Sequence, residues 1–139
     1  MTTKLNFKKA FMAGLIAAGV ATLVNAILFF IFKAAGIIVD TIFIQPNQPL
    51  TIVPIIISSI VPTLIATLVF FLFEKFTNNG FKIFRIIALV LMVLSLVNPF
   101  MGIQGVTVGY ALVLDIMHVV VVGALLYFIG KAVKKNTSN

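Results

Sequence analysis

The stretch "EKFTNNGFK", Glu74–Lys82, decides how this chain is threaded. It is a short polar link between two apolar runs, "IVPIIISSIVPTLIATLVFFLF" and "IFRIIALVLMVLSLVNPF". About 20 apolar residues cross the hydrocarbon of a bilayer. Each run is therefore one span, and the link turns the chain back on itself. Two further runs meet the same criterion, so the sequence predicts four helices, at about residues 10–32, 52–73, 83–100 and 108–129. The third is the shortest, and Arg85 near its end can reach the interface along its aliphatic stem.

The link also carries charge. Lys75 and Lys82, with Arg85 just beyond, fall at the same end as Lys4, Lys8 and Lys9 before the first helix and Lys131, Lys134 and Lys135 after the fourth. Nine of the ten basic residues thus gather at one end of a four-span threading, and only Lys33 lies opposite. By the positive-inside rule both termini and the link face the cytoplasm. An odd number of spans would destroy this bias.

Composition agrees. The 139 residues are 62% hydrophobic and 9% charged, with mean hydropathy +1.25. A soluble domain carries about 25% charged residues, so this chain has too few to cover a water-facing surface. The expectation is a single integral membrane domain over residues 1–139, an all-α bundle of four transmembrane helices. The net charge of +7 does not indicate nucleic acid, because the basic residues flank apolar runs. There is no cysteine, which excludes disulfides and thiolate chemistry. The first residues resemble a signal peptide, with a basic start and small residues near Ala26. The apolar run continues to Phe32, however, so an uncleaved helix is expected.

The link "KAAGIIVDTIFIQPNQPLT", Lys33–Thr51, is longer than the others. "TIFI" has strand chemistry and "QPNQP" forms a turn. Two readings are open: an interfacial loop that partly caps the bundle, or a lid over a pocket open to the outside.

Small residues mark the packing faces. Ala10, Gly14, Ala18, Thr22 and Ala26 recur every four positions and form a slowly drifting ridge, along which backbones can approach. Asn25 lies on that ridge, so the face points into the bundle or an oligomer interface. In the second helix Ser59, Pro62, Thr63 and Ala66 form a similar face, and Pro62 is expected to kink the helix.

Polar residues recur at one depth. Counted from the outer ends of their helices, Asn25, Ser58, Ser59, Ser95 and Asp115 all lie about 10 Å in, at about 1.5 Å per residue. Asn98 lies a turn outward of Ser95, and His118 a turn deeper than Asp115. An ionised Asp in hydrocarbon is costly. Asp115 can be carried protonated, can pair with His118 at i+3, or can face water reached from outside. Asp115, His118, Asn25, Ser59, Ser95 and Asn98 are therefore the candidate residues for a ligand or proton pocket, and Gly14, Ala18 and Pro62 for helix packing. Equally, hydrogen bonds from such groups can simply lock a bundle. One His and one Asp supply too few ligands for a metal or haem within one chain, so no metal or cofactor is expected. No triad order, zinc helix motif or phosphate loop is present, so a membrane-embedded enzyme is only the third reading, after a pocket and a packing subunit. "GIQGVTVG" reads as a Gly-rich turn.

With its Ala/Gly-rich first helix carrying Asn25, "KFT" at Lys75–Thr77, "FRIIALVLMVLSL" followed by Pro99, and Met117-His118 in the fourth helix, the chain resembles a bacterial family of four-helix membrane proteins, domain-of-unknown-function family 6069. The resemblance spans about Ala10–Ile129. It implies a four-helix fold in a bacterial inner membrane, and no activity. The sequence reading leads to a small multi-pass membrane protein with an outward-facing polar pocket that binds or transports a small molecule or ion, or relays protons. The alternative is a structural or accessory subunit whose polar residues only pack helices. Expected partners are the bilayer and either a second copy or another membrane protein.

Overall fold

The computed structural model describes residues 4–138; residues 1–3 and 139 of the expected domain lie outside it. The chain forms helices α1 (Phe7–Ala34), α2 (Ile52–Phe76), α3 (Gly80–Ser95), α4 (Asn98–Gly102) and α5 (Val108–Thr137), with strands β1 (Phe43–Gln45) and β2 (Gln48–Pro49) between α1 and α2. Four segments are long and apolar enough to cross a membrane: α1, α2, the α3–α4 segment Gly80–Gly102, and α5. The protein is a multi-pass membrane protein built as an all-α four-helix bundle.

α1, α2 and α5 overrun their apolar segments at the end that carries the termini. Helices stop where backbone signals stop them, not where hydropathy falls. α1 begins at the Asn6 cap, whose side chain accepts from Lys9 N at 2.9 Å. It ends in a Schellman turn: Gly36 takes φ +72°, Ile37 N donates to Phe32 O at 3.0 Å, and Gly36 N to Lys33 O at 3.1 Å. α5 starts at Thr107, whose hydroxyl accepts from Tyr110 N at 3.2 Å.

The third span differs from the expected continuous helix. It breaks at Leu96 and Val97 and restarts as α4. Pro99 is the cause: it has no N–H to donate to Ser95 O, and its ring crowds that carbonyl. Pro62 has a different outcome. α2 runs through it without a break, and Pro62 stands on the exposed side rather than at the seam.

α1 packs along both α2 and α5, whereas α3 touches α2 and α5 and lies across the bundle from α1. The core has two apolar clusters. One lies at the end opposite the termini and joins Phe29, Ile55, Tyr110, Val113 and Met117 to Ile38, Ile42 and Leu50 of the long link. The other lies at the termini end and joins Leu5, Ala10, Ala13, Phe70, Phe84, Leu125 and Ile129. Between them α1 and α2 meet along a seam of small side chains. Phe84 is the last buried residue of α3, and beyond it that helix buries none.

The long link is a cap. β1 and β2 pair antiparallel across Pro46-Asn47, with Asn47 at φ 59°. Proline followed by a positive-φ residue is the pattern of a type II turn. The hairpin sends Ile42 and Leu50 into the core, so the link covers the outer cluster with apolar side chains.

Candidate functional site

The seam between α1 and α2 explains how a membrane helix can bury hydroxyls. Ser59, Thr63 and Thr67 lie every four residues along α2 and are all buried. Their spacing puts them on one face. Thr63 Oγ1 donates to Ser59 O at 2.6 Å and Thr67 Oγ1 to Thr63 O at 2.7 Å. Each threonine thus satisfies its donor within its own helix and presents a small, mostly apolar surface to α1. Opposite lie Ala10, Ala13, Gly14, Ala17, Ala18 and Ala21, all buried. Gly14 is the tightest point, since a Cβ there would overlap Oγ1, Cγ2 and Cβ of Thr67.

The expected ridge of five small residues is buried in its first three members and half-buried at Thr22 and Ala26. The buried line continues instead through Ala21, Asn25 and Phe29. Ala13, Ala17, Ala21, Asn25 and Phe29 also step by four, so α1 buries two adjacent lines of residues, as a helix that packs along both α2 and α5 does.

Asn25 ties three helices. Its Nδ2 donates to Ser59 Oγ on α2 and to Met117 O on α5, both at 3.1 Å. Only 2% of the residue is exposed. The bond to a carbonyl fixes which way the amide points. Its Oδ1 is buried without a hydrogen-bond partner.

The other sequence-predicted residues stand apart from this pair. Ser95 is half-buried and returns its hydroxyl to Met92 O at 2.7 Å. Asn98 is exposed at the start of α4. Asp115 is half-buried, and its Oδ1 is covered with no hydrogen-bond partner. His118 is exposed. Among the described residues, no hydrogen bond links Asp115 to His118, and the one salt bridge joins Lys33 and Asp40 at 2.9 Å. The structure brings together Asn25 and Ser59, with no hydrogen bond from either to the remaining four candidates. Among the described residues, no group of three His, Asp or Glu side chains could hold a metal ion.

Three features were missed. Met117 contributes through its backbone carbonyl, which no side-chain motif signals. Thr67 was legible as the next step of the Ser59–Thr63 spacing. Glu74 is the lone acid at the basic end; its Oε1 accepts from Leu5 N at 3.2 Å, and Lys4 Nζ donates to Lys75 O at 2.9 Å. Gly80 lies against the Glu74 backbone where a Cβ would not fit. Lys9 Nζ donates to Asn136 Oδ1 at 2.8 Å. These contacts gather the N-terminal segment, the α2–α3 link and the end of α5 at one end of the bundle. With four spans in alternating directions, nine basic residues share that end.

No curated protein and no solved structure matches the chain. A model of a family of unknown function, DUF6069, matches residues 6–135, which contain all four spans. This chain belongs to the family of unknown function DUF6069.

Proposed function

We infer that the protein is a structural or accessory subunit of a membrane complex in a bacterial inner membrane, with both termini in the cytoplasm. Its buried polar layer holds helices together. The observation that carries this reading is Asn25: one amide, almost wholly buried, bonds two other helices at once. Thr63 and Thr67 support it, because each donates its hydroxyl hydrogen to a carbonyl within α2. The distribution of basic residues supports the orientation. The geometry gives the outward-facing pocket less support. The hairpin covers the outer end with Ile38, Ile42 and Leu50, and Asn25 and Ser59 bond one another.

Proteoliposomes test the choice. Under a packing role, vesicles holding the wild-type chain should keep a proton or potassium gradient as long as empty vesicles, while Asn25→Ala lowers the melting temperature. Gradient loss in the wild type that Asn25→Ala abolishes would overturn the packing role and favour transport.

A further inference from the structure

Asp115 and His118 remain unexplained by the locked layer. Asp115 lies seven residues into α5 and His118 ten, within the apolar part of the span. At that depth an exposed side chain meets lipid or another protein. Lipid supplies no partner for an imidazole or a carboxyl group. Yet His118 is exposed and Asp115 half-buried, and among the described residues no hydrogen bond joins them; Oδ1 of Asp115 is sealed inside the chain, so its other carboxyl oxygen is the one within a partner's reach.

The surrounding surface has the form of a helix–helix seam. Leu112, Asp115 and Val119 recur at steps of three and four, so they share a face; at 100° per residue Ile116 lies to one side of it and His118 to the other, about 60° beyond Asp115. Leu112, Ile116 and Val119 are 49%, 45% and 43% exposed. Gly123 continues the face one turn deeper, and nothing lies near the position of a Cβ there.

We propose that α5 is a self-association face, and that a second copy of this chain covers it by pairing Asp115 of each copy with His118 of the other. The argument is complementarity within one patch. Two copies inserted in the same direction are related by a twofold axis along the membrane normal, so each surface meets itself. Equal residues then meet at equal depth. Asp115 and His118 differ by three residues, about 4.5 Å in height, which both side chains can bridge. One patch carries both an acceptor and a donor, so the twofold makes two equivalent pairs and leaves neither group in lipid. This deepens the accessory reading by naming a partner, but it uses residues outside the Asn25 layer, so either can fail alone.

The absence of native cysteine makes the test clean. Full-length chains carrying Ser138→Cys are labelled with donor or acceptor dye and mixed in liposomes at increasing dilution. The wild type should show energy transfer that saturates with protein density. Asp115→His and His118→Asp, each alone, should weaken association about tenfold or more, as expected when paired groups become like groups. Mixing the two variants should restore it, because each then supplies what the other lacks. A pair formed within one chain predicts no such rescue. Val108→Cys on the same face should cross-link, and Leu72→Cys on α2 should not. A wild type that stays monomeric at all densities, or mixed variants that associate no better than either alone, would overturn the proposal. Should a single variant melt early, the Val108→Cys cross-link in the otherwise wild-type chain decides: its absence also overturns the proposal. Asn25→Ala should leave association intact, which separates this face from the packing layer.

Discussion

At Gly14 an added Cβ would meet three atoms of Thr67 at once, and Thr67 has little room to yield because its hydroxyl is bonded to Thr63 O. Gly14→Ala is therefore expected to cost about 1–3 kcal/mol, the usual range for overpacking. Thr67→Ala removes two of the three clashing atoms, so the double variant should be more stable than the sum of the single effects predicts. Reversible unfolding in mixed micelles gives the cycle, and strict additivity would mean that α1 and α2 shift apart at no cost. Asn25 makes a different kind of contribution. Asn25→Ala deletes two interhelical hydrogen bonds, each worth about 0.6 kcal/mol in comparable membrane measurements. It also removes a buried Oδ1 that has no hydrogen-bond partner. The expected loss is therefore modest, about 1 kcal/mol. A stabilised Asn25→Ala variant would show that the unpaired oxygen outweighs both bonds.

α1 was largely legible in sequence because lipid leaves only a few ways to bring helices close. Small residues at helical spacing must face a neighbour, and Ala10, Gly14 and Ala18 do. The expected effect is that Gly14→Leu and Ala18→Leu reduce folded yield far more than Leu15→Phe, since Leu15 is 42% exposed. Equal yields for all three would remove the seam from the account. The break between α3 and α4 was less legible. Pro99 was visible, but hydropathy carries straight across it, and whether a proline restarts a helix or is bridged by it, as Pro62 is, depends on tertiary context. The hairpin was half legible: its strand and turn chemistry stood out, but the sequence left cap and lid both open. Its turn makes a sharp expectation. Asn47 holds φ 59°, a conformation that Gly adopts freely and a β-branched residue resists by about 1–2 kcal/mol. Asn47→Gly should leave the melting temperature nearly unchanged, and Asn47→Val should lower it. Proteolysis within residues 35–50 should rise in the second variant alone; equal protection would mean that the hairpin does not need this turn.

At the scale of the whole molecule, the alignment of polar residues by depth was only partly informative. Depth along a helix follows from residue count, but azimuth depends on which neighbour each face meets. Asn25 and Ser59 share both depth and seam, whereas Ser95, Asn98 and His118 share only approximate depth. Sidedness rests on firmer physics. The N-terminal segment, the α2–α3 link and the end of α5 are bonded to one another, so an even number of crossings joins them. The one basic residue at the far end, Lys33, is paired with Asp40 at 2.9 Å, so this pair adds no net charge there. Acidic residues weigh little in the positive-inside rule, so the asymmetry stays the nine-to-one count of lysines and arginines. Reporter fusions after Asn79 and after Asn139, the latter outside the described residues, should be active only as cytoplasmic reporters, and a fusion after Asn47 only as an exterior one. Asn79 is the informative position. It lies between α2 and α3, where either one missing span or one extra span ahead of it would reverse the signal. An exterior signal at Asn79 together with an exterior signal at Asn139 would invert the whole bundle and refute the positive-inside argument. An exterior signal at Asn79 alone would contradict the contacts of Lys4 and Leu5 with Lys75 and Glu74, which require both segments on one side.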